Sequence, residues 1–138
     1  MKKFDVVIVG GGTAGMLLAR ELGKLKRNVL LLDRKKNLLE FSFNTLGSFM
    51  NVDDFGFTQN VIAQNINTVS LVSKRVKRNI KSNLYILDKK QIHVELLNAI
   101  DGNYVTIKTG VHIKNIDTDS YSRSIVETIQ EFANRENI

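Results

Sequence analysis

The regular pattern of the chain begins with Asp5-Val6-Val7-Ile8-Val9-Gly10-Gly11-Gly12-Thr13-Ala14-Gly15. The apolar, β-branched residues before the glycines predict a buried parallel strand over residues 4–9. The apolar spacing that follows predicts a helix over residues 13–26, and Val29-Leu30-Leu31-Leu32-Asp33 predicts a second strand. A strand, a glycine-rich turn, a helix, a strand and a closing acid are the order and spacing of a dinucleotide-binding βαβ unit.

Each residue of this motif has a physical role. Gly10 permits a tight turn as the chain leaves the strand. Gly12 allows the backbone to approach a pyrophosphate, and Gly15 allows the helix to pack closely on the strand. A helix that starts near Thr13 directs its first amides and its positive dipole end at phosphates. Asp33 lies eighteen residues after Gly15, near the spacing of about twenty expected for the acid that accepts a ribose hydroxyl.

The composition is that of one ordinary globular domain. The chain has 138 residues, of which 43% are hydrophobic and 25% charged. It has no cysteine, which excludes disulfides, zinc–thiolate sites and cysteine nucleophiles. Asp5 and the three glycines from Gly10 interrupt the N-terminal apolar run, so we interpret this run as a strand of a cytoplasmic protein and not as a signal peptide.

The charge is uneven, with a formal net charge of +6. Most of the excess lies in residues 24–36 and in residues 74–81. A solvated face is the preferred interpretation of both clusters. An anionic substrate, an acidic membrane surface and nucleic acid are the functional alternatives. Aromatic residues are not interleaved with these charges, so no nucleic-acid partner is expected.

The middle of the chain combines an aromatic segment with a strand-like segment. Residues 37–60 hold five of the seven phenylalanines. Their side chains either contribute to the core or line a cavity for a flat or apolar ligand. Both interpretations stay open. The alternation over residues 66–87 predicts two or three antiparallel strands, with the basic cluster in a hairpin turn.

The last third of the chain is predicted to return to mixed structure. Asp88 is the expected cap of a helix over residues 89–99. Short strands are predicted over 104–108 and 111–116, and a C-terminal helix over 118–138. The predicted fold class is therefore α/β. A Rossmann-like domain occupies residues 1–117, carries an antiparallel β insertion over about 66–87, and is followed by that helix.

Three stretches together carry a resemblance to a known family: the glycine motif closing on Asp33-Arg34, the segment Tyr85–Ile92, and the segment Val105–Ile116. They resemble the N-terminal part of FAD-dependent oxidoreductases of the p-hydroxybenzoate hydroxylase fold, in the geranylgeranyl reductase and lycopene cyclase-like group. In that family an acid, usually Glu, holds the adenosine ribose and is followed by a basic residue. A second basic residue, usually Arg, approaches the cofactor where this chain has Lys89.

The resemblance implies FAD as the cofactor. The backbone near the position matching Ile113 would lie against the adenine ring. The residues expected to bind the cofactor are Gly10, Gly11, Gly12, Thr13, Ala14, Gly15, Asp33, Arg34, Lys89 and Ile113. Members of this family are longer and carry a second flavin motif containing Gly-Asp, which we do not find here. We therefore expect an incomplete flavoprotein domain.

No catalytic residue is assigned from the sequence. His93 and His112 have no evident orienting partner, so we interpret both as packing or surface residues. Asp53 and Asp54 are adjacent, and neighbouring side chains of an extended segment point in opposite directions. No spacing of His and acidic residues matches a metal motif. This pattern is compatible with a flavoprotein, in which the cofactor supplies the redox chemistry.

The leading functional hypothesis is an FAD-binding oxidoreductase domain that transfers hydride or electrons through the flavin. Its expected partner is a small-molecule substrate, apolar or isoprenoid in character. An NAD-dependent dehydrogenase and a truncated nucleotide-binding module without catalysis are the alternatives, so enzymatic activity stays an open question. Peripheral membrane contact and a homodimer are also left open.

Overall fold

The computed structural model describes residues 4–118 and 124–128. In chain order the strands and helices are β1 (Val6–Val9), α1 (Thr13–Lys24), β2 (Val29–Asp33), β3 (Thr45–Ser48), β4 (Ile62–Val72), β5 (Lys77–Asp88), α2 (Lys89–Ala99), β6 (Val105–Thr109), β7 (Ile113–Thr118) and β8 (Ser124–Thr128). Two short 3₁₀ helices, Val52–Phe55 and Gln59–Val61, precede β4. In this described part of the chain, no helix is long and apolar enough to cross a membrane.

The chain forms two compact units. The first unit is built from the residues up to Glu40 and from Ala99 onward, and the second runs from Phe41 to Asn98. The second unit therefore lies, in sequence, between β2 and β6. The mixed architecture, with a parallel βαβ unit and a separate antiparallel sheet, confirms the predicted α/β fold class.

The first unit contains a parallel sheet of strand order β1-β2-β6. Val29 at the start of β2 lies opposite Val6 of β1 and Val105 of β6. Parallel strands place their carboxyl ends at one edge, so the residues that follow β1, β2 and β6 are neighbours there. The buried apolar residues of this unit come from the strands, α1 and the loop after β2: Ile8, Met16, Ala19, Val29, Leu31, Leu32, Leu38 and Val105.

The end of α1 differs from the predicted helix end at residue 26. Lys26 has the positive φ, at 56°. Its amide donates to the Gly23 carbonyl at 2.8 Å, and the Arg27 amide donates to the Leu22 carbonyl at 3.1 Å. This pair of bonds is the Schellman pattern. It falls on Lys26 because the helix ends at Lys24, two residues before the predicted end.

The second unit contains an antiparallel sheet of order β3-β5-β4, which confirms the predicted antiparallel insertion. The long β4–β5 hairpin is closed by a hydrogen bond of 2.8 Å from the Ser73 amide to the Val76 carbonyl, so the basic cluster does lie at its turn. Asp88 Oδ1 accepts from the Gln91 amide at 3.0 Å and caps α2 as predicted. The third strand, β3, lies outside residues 66–87 and was not predicted.

The predicted C-terminal helix over 118–138 is wrong where the structure describes it. Residues 124–128 form β8, which pairs antiparallel with β7, and Ile113 lies opposite Thr128. Ile125 and Val126 are β-branched and favour a strand. Pairing with β7 gives this segment cross-strand hydrogen bonds, which favour the strand over the helix that a weak apolar spacing predicted. The remainder of the predicted helix, residues 119–123 and 129–138, lies outside the described residues.

Candidate functional site

The glycine turn after β1 has the two steric features that the motif requires. Gly10 has φ 110°, a conformation that residues with a β-carbon rarely adopt. Its amide donates to the Leu32 carbonyl at 2.7 Å, which ties the turn to β2. A β-carbon on Gly15 would overlap the Gly10 carbonyl oxygen and lie 3.3 Å from Ile8 Cγ2. The helix α1 therefore packs closely against the end of strand β1, as the sequence predicted.

The start of α1 is open on the side of Gly12. Gly12 is the residue before the first helical turn, and as a glycine it supplies no side-chain cap to that turn. The Met16 amide donates to the Gly12 carbonyl at 2.9 Å, at the start of the helix. A β-carbon on Gly12 would meet nothing within 4 Å, and the first turn contains no acidic residue. Space and an uncompensated positive dipole end are the conditions under which helix N-termini bind phosphate.

The carboxylate of Asp33 is turned towards the glycine turn. Its Oδ2 accepts a hydrogen bond from the Gly11 amide at 2.6 Å, and its Oδ1 accepts from the Lys35 amide at 2.7 Å. A β-carbon on Gly11 would lie 2.6 Å from Leu38 Cδ2 and 3.3 Å from Asp33 Oδ2. A side chain at the middle glycine would therefore crowd Leu38 and the Asp33 carboxylate. Sequence reasoning gave Gly11 no separate role, although three consecutive glycines were the available signal.

The segment after β6 also reaches the carboxyl end of β2. The Val111 amide donates to the Asp33 carbonyl at 2.9 Å, and the Gly110 amide donates to the Lys35 carbonyl at 2.8 Å. Gly110 has φ 70°, which explains the glycine at this bend. Ile113 begins β7 close behind and is half-buried. Gly110 and Val111 were not predicted to belong to the site.

Nine of the ten predicted cofactor residues belong to the first unit. Thr13 and Ala14 form the first turn of α1, and Arg34 is exposed directly after Asp33. Lys89 belongs to the second unit, as the first residue of α2.

Lys89 contacts a backbone carbonyl and an aromatic ring within the second unit. Its amide donates to the Asn44 carbonyl at 2.9 Å, and its ammonium lies 4.9 Å from the centroid of the Phe41 ring. His93, one helical turn later, meets the same ring edge-on, with ring centroids 4.5 Å apart. His93 is 1% exposed, so its geometry is that of a packing residue. His112 is exposed in the first unit.

Glu95 is the acid of α2 whose environment changes its ionisation. Burial raises the pKa of this carboxyl, but hydrogen bonds from Thr58 and Gln91 outweigh that effect, and the net pKa lies below its usual value. The Thr58 amide donates to Oε2 at 2.9 Å, and the Thr58 hydroxyl donates to Oε1. The carboxylate thus joins α2 to the residue that precedes the second 3₁₀ helix.

The aromatic segment divides between the two interpretations that the sequence left open. Phe57 is 9% exposed and belongs to the core of the second unit. Phe43, Phe49 and Met50 are 77%, 72% and 58% exposed. Large apolar side chains that are exposed so close together in the sequence are typical of surfaces that bind a ligand or partner.

Residues 5–138 match the protein family described as Glucose inhibited division protein A. An uncharacterized protein of Methanosarcina barkeri is 27% identical over 144 residues, which cover 96% of this chain and 35% of that protein. The sequence match therefore extends over nearly the whole chain.

Solved structures that resemble this chain include PqsL of Pseudomonas aeruginosa, described as a probable FAD-dependent monooxygenase. PqsL of Pseudomonas aeruginosa in complex with 2-aminobenzoylacetate superposes with a TM-score of 0.70 at 18% identity, over 93% of this chain and 39% of PqsL. The p-nitrophenol 4-monooxygenase PnpA of Pseudomonas putida superposes with a TM-score of 0.70 at 21% identity, over 89% of this chain and 35% of PnpA. The resemblance to the p-hydroxybenzoate hydroxylase fold is thereby confirmed, and the chain spans little more than a third of these proteins.

Proposed function

We propose that the first unit of this chain, which belongs to the family described as Glucose inhibited division protein A, binds the adenosine and diphosphate part of FAD. The chain is an FAD-binding domain of the oxidoreductase type. The hydrogen bond between the Asp33 carboxylate and the Gly11 amide is the observation that carries this proposal. It holds an acceptor for ribose hydroxyls beside the turn that would hold the diphosphate.

The individual contacts belong to the same proposal. The amides at the start of α1 donate to the diphosphate, since the space beside Gly12 is open and no acid of the first turn competes for them. Asp33 accepts from the ribose, and Arg34 adds a positive charge beside it. The backbone at Ile113 lies against the adenine ring. When bound, the flavin supplies hydride or electron transfer, and these residues bind and orient it.

We also propose that the substrate is a small, apolar molecule. The exposed side chains of Phe43, Phe49 and Met50 support this chemistry. A cytoplasmic location and a homodimer belong to the same proposal. Sedimentation equilibrium over a range of concentrations tests the dimer, and a monomer at all of them would refute it.

Titration of the purified chain with FAD, followed by flavin fluorescence, tests the cofactor site. Saturable binding that excess NAD does not displace is the expected result. The flavin assignment fails if neither a flavin spectrum nor saturable FAD binding is found while NAD binds.

Lys89 as a cofactor contact stays a prediction, which a pair of neighbouring lysines can test. Lys89→Met is expected to weaken FAD binding several-fold, whereas Lys90→Met, which changes the charge equally at an exposed position, should leave it unchanged. Lys89→Arg should restore binding because the family commonly has Arg there. Equal effects of the two methionine variants would remove Lys89 from the site.

A further inference from the structure

The tip of the β4–β5 hairpin is a surface that the cofactor site does not use. Every residue from Ser70 to Lys81 is exposed. The chain has no acidic residue between Asp54 and Asp88, whereas this interval contains five cations: Lys74, Arg75, Lys77, Arg78 and Lys81. The tip therefore carries a concentrated positive charge that no acid between Ile62 and Leu87 offsets.

The same tip exposes aliphatic side chains, which a merely solvated basic loop would not need. Leu71, Val72 and Val76 are 56%, 71% and 51% exposed, and Ile80 is 47% exposed. Exposed aliphatic groups gathered on one hairpin tip mark an interaction surface more often than isolated ones do.

The register of the hairpin sorts these residues onto two faces. Leu71 lies opposite Arg78, and Val69 lies opposite Ile80. Because residues two apart on a strand share a face, these four form one mainly apolar face bordered by a guanidinium group.

The opposite face is mainly polar and basic. Val72 lies opposite Lys77, and Thr68 lies opposite Lys81. The turn between the strands adds Lys74, Arg75 and Val76 at the end of the hairpin. Apolar and cationic groups therefore occupy the same tip on adjoining surfaces.

This combination favours one kind of partner. A second copy of the tip is disfavoured, since it would bring like charges together. Single-stranded nucleic acid is disfavoured because no aromatic residue lies between Phe57 and Tyr85 to stack on bases. An anionic lipid surface satisfies both features, since its headgroups attract cations and its interface accepts aliphatic side chains.

We propose that the β4–β5 hairpin tip docks peripherally on anionic lipid bilayers. The lysine and arginine side chains contact the headgroups, and Leu71 and Val76 enter the interface. Nothing in this docking depends on whether FAD is bound, so the two proposals can fail separately.

Vesicle co-sedimentation of the full chain tests the docking. Vesicles of phosphatidylcholine alone are compared with vesicles that also contain phosphatidylglycerol. The hairpin variant is Lys74→Gln/Arg75→Gln/Lys77→Gln/Arg78→Gln. The control, Lys26→Gln/Arg27→Gln/Lys90→Gln/Lys108→Gln, removes the same charge at exposed positions elsewhere. Circular dichroism verifies that each variant is folded, and an apolar variant, Leu71→Ser/Val76→Ser, tests insertion separately.

Binding to the anionic vesicles alone, weakened by added salt, is the expected result. Each cation near an anionic surface contributes about fivefold in partitioning, so the hairpin variant should bind at least about tenfold more weakly. The control variant should bind the anionic vesicles with an affinity within about twofold of that of the unchanged chain. The apolar variant should also lose binding. The proposal is overturned if the anionic vesicles do not bind, if both charge variants lose binding equally, or if polyuridylate binds while the vesicles do not.

Discussion

The Asp33 carboxylate accepts a hydrogen bond of 2.6 Å from the amide of Gly11, twenty-two residues earlier in the chain. This bond connects the end of β2 with the turn after β1. It orients the acid before any ligand arrives, and a second bond from the Lys35 amide restrains its other oxygen. An oriented carboxylate loses little conformational entropy when it accepts a ribose hydroxyl.

Removal of this carboxylate should weaken FAD binding. A hydrogen bond to a charged group is worth about 1.5–3 kcal/mol, so Asp33→Ala should raise the dissociation constant roughly 10- to 100-fold. Asp54→Ala, at an exposed acid of the second unit, is the matched control. Isothermal titration calorimetry measures both, and unchanged affinity in a folded Asp33→Ala chain would contradict the assignment.

Three glycine-to-alanine variants separate folding from binding. Gly15→Ala places a β-carbon against the Gly10 carbonyl, and because backbone cannot yield easily it should cost about 3 kcal/mol or more of stability. Gly12→Ala meets no protein atom within 4 Å. It should fold with a loss of only about 1 kcal/mol, yet weaken FAD binding about tenfold by occupying the space for the diphosphate.

Gly102→Ala also meets no atom within 4 Å and lies outside the site, so it is the control for both glycine variants. Urea denaturation and FAD titration together distinguish the three proteins. A Gly12→Ala chain that binds FAD as tightly as the Gly102→Ala chain would mean that the diphosphate lies elsewhere.

The two histidines should differ in their effect on stability. His93 is 1% exposed and packs on Phe41, so His93→Ala should destabilise the protein by about 2 kcal/mol through the cavity and the lost aromatic contact. His112 is exposed, and His112→Ala should change stability by less than about 0.5 kcal/mol. Thermal denaturation measures the difference; equal melting temperatures would refute the packing role of His93.

Glu95 should make stability depend on pH in the acid range. Its folded pKa lies below the ordinary value of 4.5, so the unfolded chain binds the proton more tightly. The stabilisation is therefore fully present above about pH 4.5 and is lost as the pH falls through the folded pKa.

The variant Glu95→Gln isolates this effect, because an amide keeps the shape of the side chain but not its charge. At pH 7 it should be less stable than the unchanged chain by about 1 kcal/mol. Urea denaturation between pH 3 and 7 should show that difference shrinking towards acid, where both chains lack the charge. A difference that is constant with pH would mean that the hydrogen bonds from Thr58 do not depend on ionisation.

The local sequence pattern was sufficient to predict the elements whose conformation depends only on neighbouring residues. The β-branched run before Gly10 and the positive φ of that glycine follow from short-range sterics, and both were predictable. The cap of α2 by Asp88 and the turn of the β4–β5 hairpin belong to the same class, since each involves residues only a few positions apart.

Contacts between distant segments could not be predicted in this way. The C-terminal segment has apolar positions compatible with either a helix or a strand, and its pairing with β7 makes residues 124–128 a strand. The helix α1 ends at Lys24, two residues before the predicted end, and Lys26 adopts the left-handed conformation. The contributions of Gly110 and Val111 depend on the return of the chain to β2 after more than seventy residues.

The sequence by itself determined the βαβ unit, its glycine turn and the acid that closes it, because backbone sterics and strand patterning operate over a few residues. Only the tertiary structure decided that Asp33 turns towards Gly11, that the segment after β6 joins the same edge, and that His93 is buried. These features depend on which distant groups satisfy one another's hydrogen bonds and fill one another's space, and no local pattern encodes that choice.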